Sequence, residues 1–319
     1  MTLEVGIGLW SMQATAVAPA SWPALYRDVV ADGRHVEELG FDGMWFAEHR
    51  FWYDGWCPQP LVAAAAVAGS TERLRVGTAM LLLPQHDPHR VAAAAEQLSR
   101  LTGGRVDLGV SLGYRDAEYD GLGVERRHRR RLMEQALDVL AGPGAGRSYR
   151  IWVGGMARPA VERAGRRGLG VLLPPTLRAE DVRRARAVAA EAAAAAGVDP
   201  GPLGLVKDVW ADADADAARR VLVEPMVEHY REYAGAWWRL QGEPGFSRPD
   251  LLDRQMARTR ETMVAAAPNQ VADDLAEFAA EGVGVFCLTV HADVTRHCWR
   301  DAAELLAAEV VPALRSEAA

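Results

Sequence analysis

The chain repeats two patterns of apolar residues from one end to the other. Residues 3–10 alternate as a strand does, and residues 22–39 place apolar side chains at helical spacing until Gly40. The same strand and helix pair then recurs. Predicted strands cover residues 3–10, 43–47, 74–83, 106–112, 151–153, 170–173, 203–210 and 285–290. Predicted helices cover residues 22–39, 60–68, 89–101, 129–140, 179–196, 268–281 and 295–314, and two more begin at Pro159 and Asp214.

Eight strands that alternate with helices indicate an α/β protein with a parallel sheet. The count favours a closed (β/α)8 TIM barrel. Since no long Pro, Gly or Ser linker and no composition shift divides the chain, we expect one barrel domain over residues 1–319. A doubly wound open sheet is the alternative. It is disfavoured because no G-x-G-x-x-G motif follows the first strand, where a dinucleotide fingerprint would lie.

One segment, residues 211–267, interrupts this rhythm before the eighth strand. It has a helical pattern to about residue 240, a Gly242-Glu243-Pro244-Gly245 run and a further helical stretch from Pro249. Insertions at the C-terminal ends of barrel strands often cover active sites. The aromatic residues of the segment allow two interpretations, a lid over the site or the packing face of an ordinary helix. They are Tyr230, Tyr233, Trp237 and Trp238.

Composition narrows the classes of function. The chain has 319 residues and a net charge of −7 with both signs interspersed, so we do not expect a nucleic-acid binder with a basic face. Cys57, Cys287 and Cys298 are too few for a disulfide framework and lack metal-ligand spacing, which favours a reducing cytoplasm and no metal site. No run of about 18 apolar residues and no basic leader occur, so neither a membrane span nor a targeting segment is expected.

Active sites of barrels lie at the C-terminal ends of the strands, and the second predicted strand has the richest end. It contains His49, with Phe51, Trp52, Tyr53 and Trp56 close by in sequence as aromatic rings that suit the enclosure of a planar ligand. An imidazole titrates near neutral pH and suits a general base. From the residues alone, a histidine that ties two strand ends together is an equally good interpretation.

Several blocks along the chain carry a family resemblance. They are Trp45-Phe46-Ala47-Glu48-His49, Val76-Gly77-Thr78-Ala79, Leu101-Thr102-Gly103-Gly104-Arg105, Ile151-Trp152-Val153-Gly154-Gly155 and Pro268-Asn269-Gln270-Val271-Ala272. In this order and spacing the chain resembles the bacterial-luciferase-like flavin-dependent monooxygenases over nearly its whole length. The resemblance implies a β/α barrel, a homodimer or heterodimer, and reduced FMN supplied by a separate flavin reductase, or a deazaflavin in one branch. The implied reaction is the oxygenation of a small organic substrate.

Some functional residues carry over from this resemblance. His49 falls on the catalytic base of the family, and Glu48 precedes it as in the family. The bond between Ala79 and Met80 falls where many members have a cis peptide beneath the flavin ring, so we expect one here. The implied substrate pocket, which excludes water, comprises Trp10, Glu48, Phe51, Trp52 and Trp56.

The phosphate end of the implied flavin site departs from the family. Leu112, followed by Gly113, stands where the family usually has an arginine, whose guanidinium matches a phosphate bidentately. Each lost charge-assisted bond is worth about 1.5–3 kcal/mol. Backbone N–H groups remain after the fifth strand, and Arg115 or Arg158 is a candidate for the missing cation. The implied contacts after that strand, which lack hydroxyl side chains, are Gly154, Gly155, Met156, Ala157 and Arg158.

Two other functions therefore stay open. A barrel with lost or altered flavin binding would serve as a non-catalytic partner subunit or use another ligand, and Leu112 and Met156 motivate this alternative. A deazaflavin-dependent oxidoreductase is less favoured, because Glu48-His49 is typical of the FMN branch. None of these functions involves nucleic acid or a membrane.

Overall fold

The computed structural model describes residues 3–15, 18–52, 55–142, 146–241 and 249–317, with side chains given outside residues 230–252. The strands are β1 (Glu4–Trp10), β2 (Gly43–Phe46), β3 (Arg75–Leu82), β4 (Val106–Ser111), β5 (Arg150–Gly154), β6 (Gly170–Leu173), β7 (Leu203–Ala211), β8 (Val264–Ala266) and β9 (Val283–Thr289). The helices are α1 (Trp22–Glu38), α2 (Pro60–Ala68), α3 (Pro88–Leu101), α4 (Asp116–Gly121), α5 (Arg129–Ala141), α6 (Arg158–Gly165), α7 (Ala179–Ala196), α8 (Ala215–Gln241), α9 (Pro249–Thr262), α10 (Pro268–Ala280), α11 (Trp299–Leu305) and α12 (Val311–Glu317).

Eight of these strands form a closed parallel barrel. Strands β1 to β7 pair in sequence order, and β9 pairs with both β7 and β1. Helices connect the strands. The predicted (β/α)8 TIM barrel is confirmed, and its eighth barrel strand is β9.

One short strand lies outside the barrel and is not predicted by the sequence pattern. Strand β8 pairs with the end of β7, where Val264 aligns with Val209. Three residues are too few to show a period within residues 211–267. The helical pattern of that segment is confirmed by α8 and α9. The run at residues 242–245 and the side chains of Tyr230, Tyr233, Trp237 and Trp238 lie outside the described residues.

Two other elements differ from the prediction. Helix α4 is not predicted, because its six residues are too short for a periodic signal. The last predicted helix, residues 295–314, begins only at Trp299. The hydroxyl of Thr295 donates to the carbonyls of Val290 and His291 at 2.7 and 3.0 Å, and this turn delays the helix.

Two tryptophans fill the inside of the barrel. Trp45 of β2 and Trp152 of β5 are buried there among small and aliphatic side chains. Glycines on neighbouring strands leave room for them, since a Cβ on Gly6 would lie 2.5 Å from Trp45 and one on Gly170 would lie 2.5 Å from Trp152. The interior is therefore a packed core, and space for a ligand lies at its mouth.

A buried ion network closes the N-terminal end of the barrel. Asp107 of β4 accepts hydrogen bonds from Arg150 Nε at 2.5 Å and from Arg75 Nη2 at 3.1 Å. Arg150 also bonds to Glu4 at 2.7 Å. Burial raises the pKa of Asp107, but the two guanidinium groups outweigh it and lower the pKa below the ordinary value. This charge cluster stabilises the end of the barrel that lies away from the mouth.

Lys207, the single lysine of the chain, is buried on the outer face of β7. Its Nζ donates to the carbonyls of Pro175 and Leu177, each at 3.2 Å, and lies 4.5 Å from the ring centre of Phe278. Burial lowers the pKa of Lys207 to about 8. The ammonium group therefore holds the loop after β6. Its burial costs free energy, because the charge loses contact with water.

The depressed pKa of Lys207 predicts a pH-dependent stability. Above pH 8 the folded chain releases this proton, whereas the unfolded chain keeps it to the ordinary lysine pKa, so the lysine should favour folding increasingly as pH rises. Between pH 7 and 10 the wild type should gain about 2 kcal/mol in unfolding free energy relative to Lys207→Met. Urea unfolding of both proteins measures this difference. Parallel pH curves would contradict the prediction.

Candidate active site

A cavity of about 460 Å³ opens at the C-terminal ends of the barrel strands. We call it the mouth cavity. Its lining is mainly apolar, with contributions from Leu9, Ala47, Ala79, Met80, Leu172, Leu173 and Val206. Polar side chains converge on it from several strand ends and from α8: Ser11, Gln13, Glu48, His49, Ser111, Tyr114, His229, His291 and Asp293. An apolar cavity with a few convergent polar groups is the usual form of a small-molecule site.

His49 is held in this cavity by a buried carboxylate. Its Nδ1 lies 2.7 Å from Oε1 of Glu118, a residue of α4 with no exposed side chain. Burial raises the pKa of Glu118, but hydrogen bonds and charge from His49, Arg50 and Arg115 lower it below the ordinary value. Because an ionised carboxylate only accepts, Nδ1 of His49 carries a proton. In the neutral ring Nε2 is then basic, and it lies 3.3 Å from the hydroxyl of Tyr114.

Arg115 fixes the loop that carries His49. Its Nη1 donates to the carbonyl of Arg50 at 2.7 Å, and its Nη2 donates to that of Phe51 at 3.2 Å. The guanidinium also lies 4.0 Å from the ring centre of Trp52 and 3.1 Å from Glu118. Phe51 adopts a left-handed backbone with φ of 55°, which the clamp stabilises. The contacts of Arg115 therefore lie within the protein, where it builds the site.

Glu48 ties the ends of β2 and β3 together. Its carboxylate accepts from the backbone N–H of Leu82 at 2.6 Å and from Nε2 of His86 at 2.9 Å, and it pairs with Arg50. Its own N–H donates to the carbonyl of Met80 at 3.3 Å. The bond between Ala79 and Met80 is cis, as predicted. These two residues form the floor of the mouth cavity beside His49.

The predicted aromatic pocket residues lie in different places. Trp56 lines the mouth cavity, with its ring edge-on to His49 at a centroid distance of 4.4 Å. Trp52 is buried under Arg115, and Phe51 is 58% exposed. Trp10 packs edge-on against Trp299 at 5.0 Å and faces a neighbouring cavity. Of the predicted substrate-pocket residues, the structure brings Glu48 and Trp56 into the mouth cavity.

The predicted phosphate-side residues divide in the same way. Gly154 and Gly155 line the mouth cavity, whereas Met156 is 60% exposed and Ala157 caps α6 without a side-chain hydrogen bond. Arg158 bonds to Glu162 and Glu191 on the outer flank of α6.

The residues after β4 are turned toward the protein. Leu112 is half-buried against the core, and its carbonyl accepts a hydrogen bond from Tyr119. Gly113 has φ of 69°, and a Cβ there would lie 3.2 Å from Gln85. Within the described ranges no arginine or lysine lines the mouth cavity.

Among the residues of the mouth that reasoning from the sequence missed are Tyr114, Glu118, Asp208 and His291. Tyr114 and Glu118 follow β4, a stretch whose predicted role is phosphate binding alone. Asp208 lies near the end of β7, and His291 follows β9. Their signal is the one that singles out His49, a polar residue at a strand end. Helix α4 brings Glu118 to His49, and the turn after β9 brings His291 to Asp208. The periodic pattern predicts neither of these two elements.

Two kinds of feature are absent from the described part of the chain. No group of three or more His, Cys, Asp or Glu side chains is placed there to hold a metal ion. No helix there combines the length and the apolar character needed to cross a bilayer.

Comparison with known proteins adds the family. Residues 6–284 match the family model of luciferase-like monooxygenases. The alkanal monooxygenase alpha chain of Photorhabdus luminescens is 37% identical over 102 residues, which are 32% of this chain and 28% of that protein. The chain thus matches little more than a quarter of that relative's length.

Two solved structures share the fold. The oxygenating constituent of 3,6-diketocamphane monooxygenase from Pseudomonas putida, solved in complex with FMN, has a TM-score of 0.78 at 17% identity, covering 98% of both chains. An F420-dependent secondary alcohol dehydrogenase, solved with an F420-acetone adduct, has a TM-score of 0.72 at 17% identity, covering 98% of this chain and 99% of that one. At these identities the likeness is one of fold. With the family model matching most of its length, the chain belongs to the luciferase-like monooxygenases.

Proposed function

We propose that the chain is a two-component monooxygenase that uses reduced FMN and dioxygen to oxygenate a small organic substrate in the mouth cavity. A separate flavin reductase would supply the reduced FMN. The observation that carries this proposal is the His49–Glu118 pair beside a largely apolar cavity, in a chain of this family. The pair provides a base with a defined proton position, and the cavity provides a largely apolar environment for the reaction.

The mouth cavity suits the ring of FMN better than its phosphate. Ala79 and Met80 offer an apolar floor for a planar ring, and Gly154 and Gly155 offer backbone at its edge. The phosphate would rely on N–H groups near the start of α6. When bound, reduced FMN supplies two electrons to dioxygen, so that one oxygen atom enters the substrate and the other leaves as water.

The residues of the chain orient the ligands and handle protons. His49 takes or gives a proton at Nε2, and Glu118 holds the ring in place through Nδ1. Tyr114 directs its hydroxyl to the same Nε2. Trp56 covers His49 on one side and helps to keep bulk water from the reacting atoms.

Replacement of His49 tests this function. His49→Ala should lower turnover with alkanals or bicyclic ketones about 100-fold, because it removes the proton-transfer group, while FMN affinity should change little. The amount of oxygenated product formed per photoreduced FMN measures turnover, and calorimetry measures affinity. His89→Ala, at an exposed position on α3, is the matched control. Absence of FMN binding, or full turnover by His49→Ala, would overturn the proposal.

Leu112 provides a second test, directed at the phosphate end. Leu112→Arg should raise the affinity for FMN about tenfold by adding one charge-assisted bond, and should leave riboflavin affinity unchanged. The gain should shrink as salt is added. Calorimetric titrations of the two ligands measure the effect, with Leu112→Met as the neutral control. An equal gain for riboflavin would contradict a phosphate near residue 112.

A second candidate function follows from the phosphate end. Because no arginine or lysine of the described residues lines the mouth cavity, a barrel that takes a different ligand or acts as a partner subunit is the alternative. A deazaflavin is a further candidate ligand, because an F420-dependent enzyme is among the solved structures that share the fold. Parallel titrations with reduced FMN and reduced F420 decide between them, because micromolar binding of FMN alone supports the first proposal.

We propose a dimer, either a homodimer or a heterodimer, as the assembled form, and the homodimer is the form that the chain alone can test. The outer faces of α2 and α3 expose apolar side chains, with Val62 67% and Leu101 77% accessible. Ala65 and Ala66 continue this face.

Light scattering should therefore give twice the 34.6 kDa chain mass. Leu101→Glu should shift the protein toward monomer, because it places a charge in the proposed apolar interface. Leu122→Glu, at another exposed leucine, should leave the mass unchanged. A monomeric wild type would refute the homodimer.

A further inference from the structure

A second carboxylate and imidazole pair lies at the mouth, on the far side of β1 from His49. Asp208 of β7 aligns with Thr289 of β9, and His291 follows that strand. Nε2 of His291 lies 2.8 Å from Oδ1 of Asp208, and both side chains are buried. His291 also lines the mouth cavity. The cavity therefore has two histidines that are each held by a buried carboxylate.

The backbone holds His291 in a costly conformation. Its φ is 50°, a left-handed value that a residue with a Cβ seldom adopts. Its carbonyl accepts hydrogen bonds from the N–H groups of Val294 and Thr295, both at 2.7 Å. The turn after β9 thus directs the imidazole to Asp208, and such strained positions are concentrated at functional sites.

A second cavity of about 330 Å³ lies between the end of β1, α1 and α11. We call it the side cavity. It shares five lining residues with the mouth cavity: Leu9, Ser11, Gln13, His291 and Asp293. The other charged residues around it are Asp28, Asp32, Arg296 and Arg300. Since Asp28 and Arg300 are exposed, the side cavity offers a polar route from solvent to His291.

Imidazoles and carboxylates alternate along the shared wall. Nε2 of His229 lies 3.9 Å from Oδ2 of Asp293, and Oδ1 of Asp293 lies 3.9 Å from Nδ1 of His291. The other ring nitrogen of His291, Nε2, contacts Asp208 as described above. Both 3.9 Å gaps exceed a hydrogen bond, and a bridging water or a small side-chain rotation closes such a gap. Four titratable groups thus lie in a row, in the order His229, Asp293, His291, Asp208, and Asp293 and His291 line both cavities.

The charges around His291 favour its protonated form. Burial lowers its pKa, but the carboxylates of Asp208 and Asp293 outweigh burial, and the pKa lies above the ordinary histidine value. Lys207 turns away to the loop after β6. Arg296 donates to the carbonyl of Gln13. The ionisable groups around His291 are Asp208, Asp293, His229, Arg296, Lys207 and Cys287.

We propose that His291, with Asp208 and Asp293, passes protons between the side cavity and the mouth cavity. This inference rests on the proposed function, because that function needs a proton at the mouth. In the absence of substrate, anionic reduced FMN, dioxygen and one proton give oxidised FMN and hydrogen peroxide. Two electrons pass from the flavin to oxygen, and the proton comes from solvent. His291 delivers it to the mouth and is reprotonated through Asp293 from the side cavity.

The first experiment uses the protein without flavin. Titration of ¹³C-labelled histidines by NMR should place the pKa of His291 above the ordinary histidine value. Asp208→Asn should bring the pKa of His291 below that value, because burial then acts without the carboxylate beside it. If the pKa of His291 is the same in both proteins, the pair does not hold a proton and the proposal is wrong.

The second experiment follows the oxidation of bound reduced FMN by dioxygen in a stopped-flow instrument, without substrate. His291→Gln and Asp293→Asn should each slow it about tenfold above neutral pH and change its solvent isotope effect. Ala292→Phe fills the side cavity without removing a titratable group and should slow the reaction similarly. The control variant His89→Gln should match the wild type.

Each outcome of the second experiment bears on a different part of the proposal. Wild-type rates in His291→Gln and Asp293→Asn at every pH would overturn the relay. A wild-type rate in Ala292→Phe alone would overturn the route through the side cavity. If reduced FMN does not bind, the proposed function fails, and the NMR titration then decides whether His291 and Asp208 form a proton-holding pair.

Discussion

The geometry of the mouth depends on the buried carboxylate of Glu118. A carboxylate without exposed surface must be surrounded by donors or lose its charge. Glu118 receives the ring N–H of His49, the backbone N–H of Arg50 and the guanidinium of Arg115. These donors belong to the loop after β2 and to the start of α4, so one charge fixes the loop, the helix and the proton position on the imidazole. Arg115 also fixes the backbone of Phe51, because its guanidinium donates to the carbonyl of that residue.

Strand β7 shapes the other side of the mouth through simple alternation. Neighbouring residues of a strand point to opposite faces, so Asp208 turns to the mouth and holds His291, whereas Lys207 turns outward. The outward ammonium holds the carbonyls of Pro175 and Leu177, and Pro175 itself lines the mouth cavity. Two adjacent residues of β7 thus position this wall of the mouth. Asp208 holds His291 on the inner face, and the buried Lys207 holds the loop after β6 on the outer face. Both depend on burial that only the closed barrel provides.

The sequence predicts the repeated architecture better than its junctions. Eight periodic strands are enough to predict the barrel, and the rule that strand ends carry chemistry finds His49. The partner Glu118 lies on α4, whose six residues have too weak a period to be detected. Trp10 shows the other limit, since a strand-end tryptophan is identified but the cavity that it faces depends on α1 and α11. The type of a residue and its position in a strand or helix can be read from the local sequence. Which side chains of different elements come into contact cannot.

The two ends of the mouth place different demands on a ligand. Around Met80 the cavity offers apolar surface, so a planar ring gains free energy there in proportion to the area that it buries. Near α6 the side chains turn outward, since Arg158 pairs with Glu162 and Met156 is exposed. An anionic tail would meet backbone N–H groups but not the guanidinium of Arg158. If the proposed function holds, affinity for a flavin therefore comes chiefly from its ring. The reductase and this chain then compete for reduced FMN, and this chain holds the phosphate of FMN only weakly.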